Sequence, residues 1–165
     1  MDEWTEPALR LFAAVAVGGV VGLNRDLFGK PTGARVHALV ALGAACYVIA
    51  AEHLGGSSEA SRAIQGIVGG VGFLGAGVII HGPGSAEGGS VANGGRRAGF
   101  DIHYLGTAAS IWLTAALGVA AGLGQWRLGV LATVAALFVL IVGIRVDRAM
   151  FARFGRSDDR GDPLE

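Results

Sequence analysis

Charged side chains are scarce in this chain. Asp, Glu, Lys and Arg make up 16% of its 165 residues, whereas a typical soluble domain has about 25%. The formal net charge is zero, which excludes the general basic field that nucleic-acid binding requires. The single cysteine, Cys46, excludes an internal disulfide and any zinc site built from several thiolates.

Apolar residues, 52% of the chain, gather in five long runs. Each run approaches the roughly 20 residues that a helix needs to cross a bilayer. A soluble bundle would need polar helix faces, and a transmembrane barrel would need alternating polarity; the runs show neither. The sequence therefore predicts an all-α polytopic membrane protein, a bundle of about five transmembrane helices. The predicted helices span about 8–23, 36–52, 63–80, 104–123 and 127–145.

The predicted domain organisation is one transmembrane domain, residues 1–146, followed by a short charged cytoplasmic tail, 147–165. Polar linkers are expected at 24–35 and 52–62, a long glycine-rich linker at 81–103, and a tight connection at 124–127. Residues 145–154 are expected to extend the last helix as a basic amphipathic segment at the membrane surface.

Lys and Arg residues are unequally divided between the two sides that five spans define. The first linker, the long linker and the tail carry ten of the 13, and the opposite side carries Arg10, Arg62 and Arg127. Cytoplasmic loops are enriched in Lys and Arg. The sequence therefore predicts an external N-terminus and a cytoplasmic C-terminus. The ten are Arg25, Lys30, Arg35, Arg96, Arg97, Arg145, Arg148, Arg153, Arg156 and Arg160.

Residues 70–75 match the pattern G-x-G-x-x-G. A dinucleotide site is excluded because the pattern lies inside an uncharged apolar run, with no strand before it. Glycines four residues apart instead favour close helix packing. Local unwinding that exposes carbonyl groups to an ion is the alternative. The predicted packing glycines are Gly66, Gly69, Gly70, Gly72, Gly75, Gly77, Gly118 and Gly122.

Polar and charged residues near the predicted helix ends form the candidate functional cluster. Ordinary interfacial anchoring is one interpretation, because charge is costly only deeper in the bilayer. The other is a structural ion pair or a switch, since an acid beside arginines stays ionised. The candidate residues are Arg25, Asp26, Arg35, His37, Arg62 and His103.

Catalytic and metal-ligating groupings are missing from the pattern. Apart from Glu52, at the outer end of the second predicted helix, no carboxylate lies within the predicted spans, and Glu52 and Asp26 fall on opposite membrane faces, which argues against a dedicated magnesium path. The four histidines lack metal-ligand spacing, and no Ser/His/Asp or Cys/His grouping is present. The chain is therefore predicted not to be an enzyme and to need no cofactor, while its metal binding stays open.

Four segments resemble the MgtC/SapB family of bacterial inner-membrane proteins. The most specific is GIVGGVGFLGAGVI, and the resemblance covers roughly residues 10–145 apart from the long linker. The segments are GLNRD (22–26), GKPTGARVHALVALGA (29–44), SRAIQGIVGGVGFLGAGVII (61–80) and LGTAASIWLTAALGVAAGLG (105–124).

This resemblance implies a five-helix domain of the inner membrane with an external N-terminus. Family members carry a historical label of magnesium-transport association. The best-studied ones look like regulators, linked to survival inside host cells, low magnesium and inhibition of the ATP synthase. Some family members also carry a soluble C-terminal domain.

The chain departs from the family pattern at several charged positions. The family usually reads Gly-Leu-Glu-Arg-Glu near helix one, where this chain has Asn24 for the first acid and Asp26 for the second. His103 stands where the family usually has Arg, and an Asp-Pro that often precedes the third helix is missing, although Arg62 remains. The fold is expected to survive these departures.

Two functional hypotheses follow. The first is a regulatory or accessory protein that binds other membrane proteins through its glycine-lined helices and is linked to magnesium or membrane-energy homeostasis. The second is a transporter or channel for Mg²⁺ or another cation. The lack of intramembrane carboxylates favours the first. The expected partners are the lipid bilayer and a membrane protein, with a homo-oligomer equally compatible with the glycines, and no nucleic acid.

Overall fold

A computed structural model describes residues 4–80 and 103–154, which form four α-helices. The predicted all-α class is confirmed for this part of the chain. The predicted linker 81–103 lies outside the described residues except for His103, where a helix begins. The helices are α1 (Thr5–Leu27), α2 (Ala34–Ile80), α3 (His103–Gly122) and α4 (Trp126–Phe154).

Within residues 4–80 and 103–154 the predicted count of about five helices is corrected to four, because α2 contains both the second and the third predicted helix, joined across a break. The predicted polar linker 52–62 is helical except at Gly55 (φ −164°, ψ 21°) and Gly56 (φ 68°, ψ −148°). A straight helix of 47 residues would be about 70 Å long, more than twice the hydrocarbon thickness of roughly 30 Å. The break at Gly55 and Gly56 divides α2 into two segments, each short enough to cross the hydrocarbon layer once.

The two parts of α2 on either side of this break face each other. Residues 34–54, here the first half of α2, and residues 57–80, the second half, line one groove together. Val40 and Val71, from opposite halves, pack in one apolar cluster. The polypeptide therefore doubles back at Gly55–Gly56, and α2 is a helical hairpin.

A glycine turn joins α1 to α2. Gly29 has φ +61°, and the amides of Gly29 and Lys30 donate to the carbonyls of Asp26 and Arg25, which is the Schellman arrangement that ends many helices. This turn carries α1 to Leu27, four residues beyond the predicted end. Asp26 and Arg25 are therefore helical residues, not linker residues.

The same device joins α3 to α4. Gly124 has φ +67°, and Gln125 N–H donates to the carbonyl of Ala120. The tight connection predicted near Gly124 is confirmed. The last helix runs to Phe154, so its predicted extension beyond residue 145 is confirmed, while its place at the membrane surface stays a prediction.

Small side chains make up the core between α1, the first half of α2, and α3. Ala14, Ala41, Ala45 and Ala121 form one buried cluster. Small residues let helix backbones approach closely, so that van der Waals contact replaces the hydrophobic drive that lipid cannot supply. These three helices form the packed centre of the protein.

Large apolar side chains lie on the outside instead. Phe12, Phe73 and Phe138 are 74%, 80% and 66% exposed, which in water would form unusually large apolar patches. All four helices are long and apolar enough to cross a membrane. Lipid is the solvent that suits such a surface.

Candidate functional site

Arg25 is buried at the centre of a polar cluster between α1, α2 and α3. Its side chain, near the end of α1, is 5% exposed, and its Nη2 donates to the hydroxyl of Thr107 on α3. Its Nε is buried without a hydrogen-bond partner among the described residues. A buried charge is costly unless it is paired, so the burial of the Arg25 guanidinium lowers the stability of the fold.

His37 lies in the first turn of α2 and is fully buried against α3. Its Nδ1 lies 3.1 Å from the carbonyl oxygen of Gly33, and its Nε2 lies 3.2 Å from the Ser110 hydroxyl. The imidazole therefore links the turn before α2 to the middle of α3.

Three hydroxyl residues line the face of α3 that meets this cluster. Thr107, Ser110 and Thr114 are buried, three and four residues apart, which places them on one side of a helix. Ser110 Oγ donates to the Thr107 carbonyl, and Thr114 Oγ1 donates to the Ser110 carbonyl, both at 2.8 Å. Sequence reasoning missed this face, although three hydroxyls at helical spacing in an apolar run were a readable signal.

Asp26 lies beside the cluster but serves the turn. The side chain is exposed, and its Oδ2 accepts the amide of Ala34 at 2.9 Å, which caps the first turn of α2. The Asp26 carboxylate also fills the space where a side chain at Gly33 would stand. Among the described ion pairs, none joins Asp26 to Arg25.

Two further residues of the predicted cluster, Arg35 and Arg62, make no described contact with Arg25. Arg35 is exposed at the start of α2. Arg62 is 74% exposed and pairs with Glu59 at 3.4 Å, near the break in α2 and therefore at the other end of the hairpin. His103 begins α3, and its side chain lies outside the described residues. The structure thus brings together Arg25 and His37, and adds the α3 hydroxyls.

A second polar group, missed from the sequence, closes the opposite end of the bundle. Arg10 on α1 donates to Glu6 at 3.0 Å, to Glu52 on α2 at 2.9 Å and to the carbonyl of Gly122 on α3 at 2.9 Å. This Arg10 clasp ties three helices with one guanidinium, whose five donors suit such a role.

The predicted packing glycines divide into two groups. A Cβ built at Gly118 would lie 2.7 Å from the Cα of Ala41, and one at Gly122 would lie 3.0 Å from the Cα of Ala45. These two glycines are where α3 packs on α2. Gly18 and Gly22 of α1, not predicted, are equally crowded against α2.

The second group lies on the second half of α2. A Cβ at Gly75 would meet the Ala108 side chain at 3.4 Å. At the other five positions a Cβ would have open space among the described residues. The backbone stays helical there, so the predicted alternative of unwinding is not seen; α2 is non-helical only at Gly55 and Gly56. The five are Gly66, Gly69, Gly70, Gly72 and Gly77.

The chemistry of the buried site suits anions better than cations. Its members are a guanidinium, an imidazole and hydroxyls, and no carboxylate is buried with them in the described ranges. Nor do residues 4–80 and 103–154 contain three His, Cys, Asp or Glu side chains grouped as metal ligands. A divalent cation prefers several carboxylate or carbonyl oxygens, and a fixed positive charge would oppose its entry.

Four long apolar helices around a core of small residues and a buried polar cluster, all in the described part of the chain, place the protein among the polytopic α-helical membrane proteins. The sequence profile of the MgtC family matches residues 11–149. The chain belongs to the MgtC family, as the resemblance in its sequence implied.

Relatives in bacteria support the assignment. SrpB of Synechococcus elongatus is 39% identical over 157 residues, covering 92% of this chain and 82% of that protein. MgtC of Salmonella typhimurium is 36% identical over 126 residues, and MgtC of Brucella abortus is 36% identical over 124. These matches cover 47% and 45% of the two MgtC proteins, so the chain spans about half their length. No solved structure gives a significant match.

Proposed function

We propose that this protein is a regulatory or accessory protein of the bacterial inner membrane. It acts through helix contacts with other membrane proteins, catalyses no reaction of its own, and is linked to magnesium or membrane-energy homeostasis. The observation that carries the proposal is the open glycine face on the second half of α2.

Among the described residues, nothing covers that glycine face against a neighbour in the membrane. Gly66 and Gly70 line a groove of about 660 Å³ between the halves of α2, and its other lining residues are almost all apolar. Small-xxx-small spacing lets a second helix approach closely and hydrogen-bond weakly through its backbone. In the core of the bundle, Gly118 shows the same principle already in use against Ala41.

The buried polar cluster weighs against the rival proposal of a cation transporter or channel. Intramembrane ionisable groups mark ion pathways when they offer the opposite charge to the ion. Arg25 offers a positive charge, and its only described hydrogen-bond partner is the neutral Thr107 hydroxyl. A Mg²⁺ path through this site would bring like charges together in a poorly hydrated space.

The proposed orientation places the N-terminus outside and the C-terminus in the cytoplasm. The positive-inside rule favours it, with ten of the 13 Lys and Arg on the side predicted to be cytoplasmic. The hairpin in α2 supports it. With two antiparallel halves, α2 would cross the membrane twice, so the four helices would make five crossings and leave the termini on opposite sides. The Arg10 clasp and the break in α2 then face the outside, and the Arg25 cluster faces the cytoplasm.

The experiment combines a flux measurement with matched variants. In liposomes, the purified protein should show no saturable Mg²⁺ flux above that of protein-free vesicles. In a deletion strain grown in low magnesium, Gly70→Ile should lose complementation while membrane abundance holds, because the added side chain occupies the groove, and its Cβ has no described atom within 4 Å.

Ala135→Ile is the matched control, since Ala135 is exposed on α4, away from the groove. It adds the same bulk and should retain complementation. Robust, saturable flux from the purified protein would overturn the accessory role. Equal loss from Gly70→Ile and Ala135→Ile would remove the argument for the glycine face.

A further inference from the structure

The hydrogen bonds around His37 cannot all form while its imidazole is neutral. A carbonyl only accepts, so the contact with Gly33 requires a proton on Nδ1. Ser110 has one hydroxyl hydrogen, which is directed to the Thr107 carbonyl at 2.8 Å. The contact between Nε2 and Ser110 Oγ then needs a second ring proton.

Two protonation states therefore correspond to two hydrogen-bond patterns. In the neutral state, with the proton on Nδ1, the Ser110 hydroxyl must turn from the Thr107 carbonyl to His37 Nε2. In the charged state, Nε2–H donates to Ser110, whose hydroxyl remains on Thr107. The position of Ser110 Oγ, within hydrogen-bond distance of both groups, serves either pattern.

The charged groups that face His37 determine what its protonation does to the cluster. On α1 these are Arg25, which is buried, and Asp26, which is exposed and caps Ala34. On the described part of α3 the facing groups are the uncharged Thr107, Ser110 and Thr114. Protonation thus places two cations in one buried cluster, with no carboxylate paired to Arg25 among the described residues.

Arg25 is the member of this pair that can leave. It lies two residues before the end of α1, and a long guanidinium side chain can reach towards the membrane surface while its stem stays apolar. Its bond to Thr107 is the polar link between α1 and α3 at this end. Departure of Arg25 would therefore release α1 from α3.

We propose that His37 is a proton-operated latch, in which protonation expels Arg25 from Thr107 and opens the cytoplasmic end of the bundle between α1 and α3. Imidazole is suited to this task because its charge changes within the physiological pH range. The latch is independent of whether the glycine face binds a partner.

The test uses spin labels at two exposed positions, Leu27→Cys on α1 and Leu105→Cys on α3, in a Cys46→Ser background in nanodiscs. Electron–electron distance measurements are taken at about pH 8 and about pH 5, which bracket the range in which histidine usually titrates. A second, longer-distance population should appear at the lower pH. It should be absent in His37→Gln, which keeps a neutral polar side chain.

His53→Gln is the matched control, because the one described hydrogen bond of the His53 ring is with the Ile49 carbonyl, outside the Arg25 cluster. Its pH response should equal that of the labelled background. In the protein with native histidines, ¹⁵N spectra should show the Nδ1–H tautomer of His37 at high pH and the imidazolium at low pH. A distance independent of pH, a response that survives His37→Gln, or a His37 that does not titrate would each overturn the latch.

Discussion

Substitution of Gly118 by Ala tests the packing of α3 on α2 most sharply. The new Cβ would be placed 2.7 Å from the Cα of Ala41 and closer still to the Ala41 carbonyl oxygen. Both neighbours are backbone atoms, which cannot turn aside as a flexible side chain can. One of the two helices must therefore move.

The expected cost follows from overpacking in a well-packed core. Inserted methyl or methylene groups destabilise by about 1–3 kcal/mol, while replacing a helical Gly by Ala returns up to about 1 kcal/mol of helix propensity. Gly118→Ala should therefore lose stability on balance. The same substitution at Gly70, where a Cβ has open space, should be neutral or stabilising within the bundle.

The assay is thermal unfolding of the two purified variants in the same detergent, monitored by far-UV circular dichroism. Gly118→Ala should unfold at a lower temperature than the parent protein, and Gly70→Ala at the same or a higher one. Equal unfolding temperatures for the two variants would refute the close approach of α3 and α2.

Three further substitutions have distinct expected outcomes. Arg25→Met should keep or raise the unfolding temperature, because it removes a buried charge whose only described partner is Thr107; a large fall would reveal an unseen counter-ion. Glu52→Gln should lower stability by about 1 kcal/mol or less, since the Arg10 clasp keeps its other acceptors; thermal unfolding measures this. Asp26→Asn should leave membrane abundance unchanged, because an amide oxygen can still cap α2, so a loss of complementation would assign Asp26 a functional role.

The positions of the helices could be predicted from the sequence because the length and position of each apolar run can be read directly from it. The turn at Gly124 could be predicted because only a short segment separates two apolar runs. The tight turn within α2 could not be predicted, because Glu52 to Arg62 reads as a polar linker. Ser and Glu tolerate helix well enough that only Gly55 and Gly56 leave it.

The polar cluster was predictable only in part. Arg25 and His37 were identified as charged or polar groups near helix ends, but sequence distance cannot show that α3 folds over both of them. Arg35 and Arg62 are also arginines near predicted helix ends, yet both are exposed. Glycine spacing likewise could not separate Gly118, where an added Cβ would clash with the Ala41 backbone, from Gly70, where an added Cβ has open space among the described residues.

Photocrosslinking from the second half of α2 tests the proposed docking face most directly. Phe73, 80% exposed beside the glycines, is replaced by benzoylphenylalanine and irradiated in native membranes, with Phe138 of α4 (66% exposed) as the matched position. A discrete protein adduct is expected from position 73 and none from position 138. Lipid adducts alone at position 73, or identical protein adducts from both positions, would contradict it.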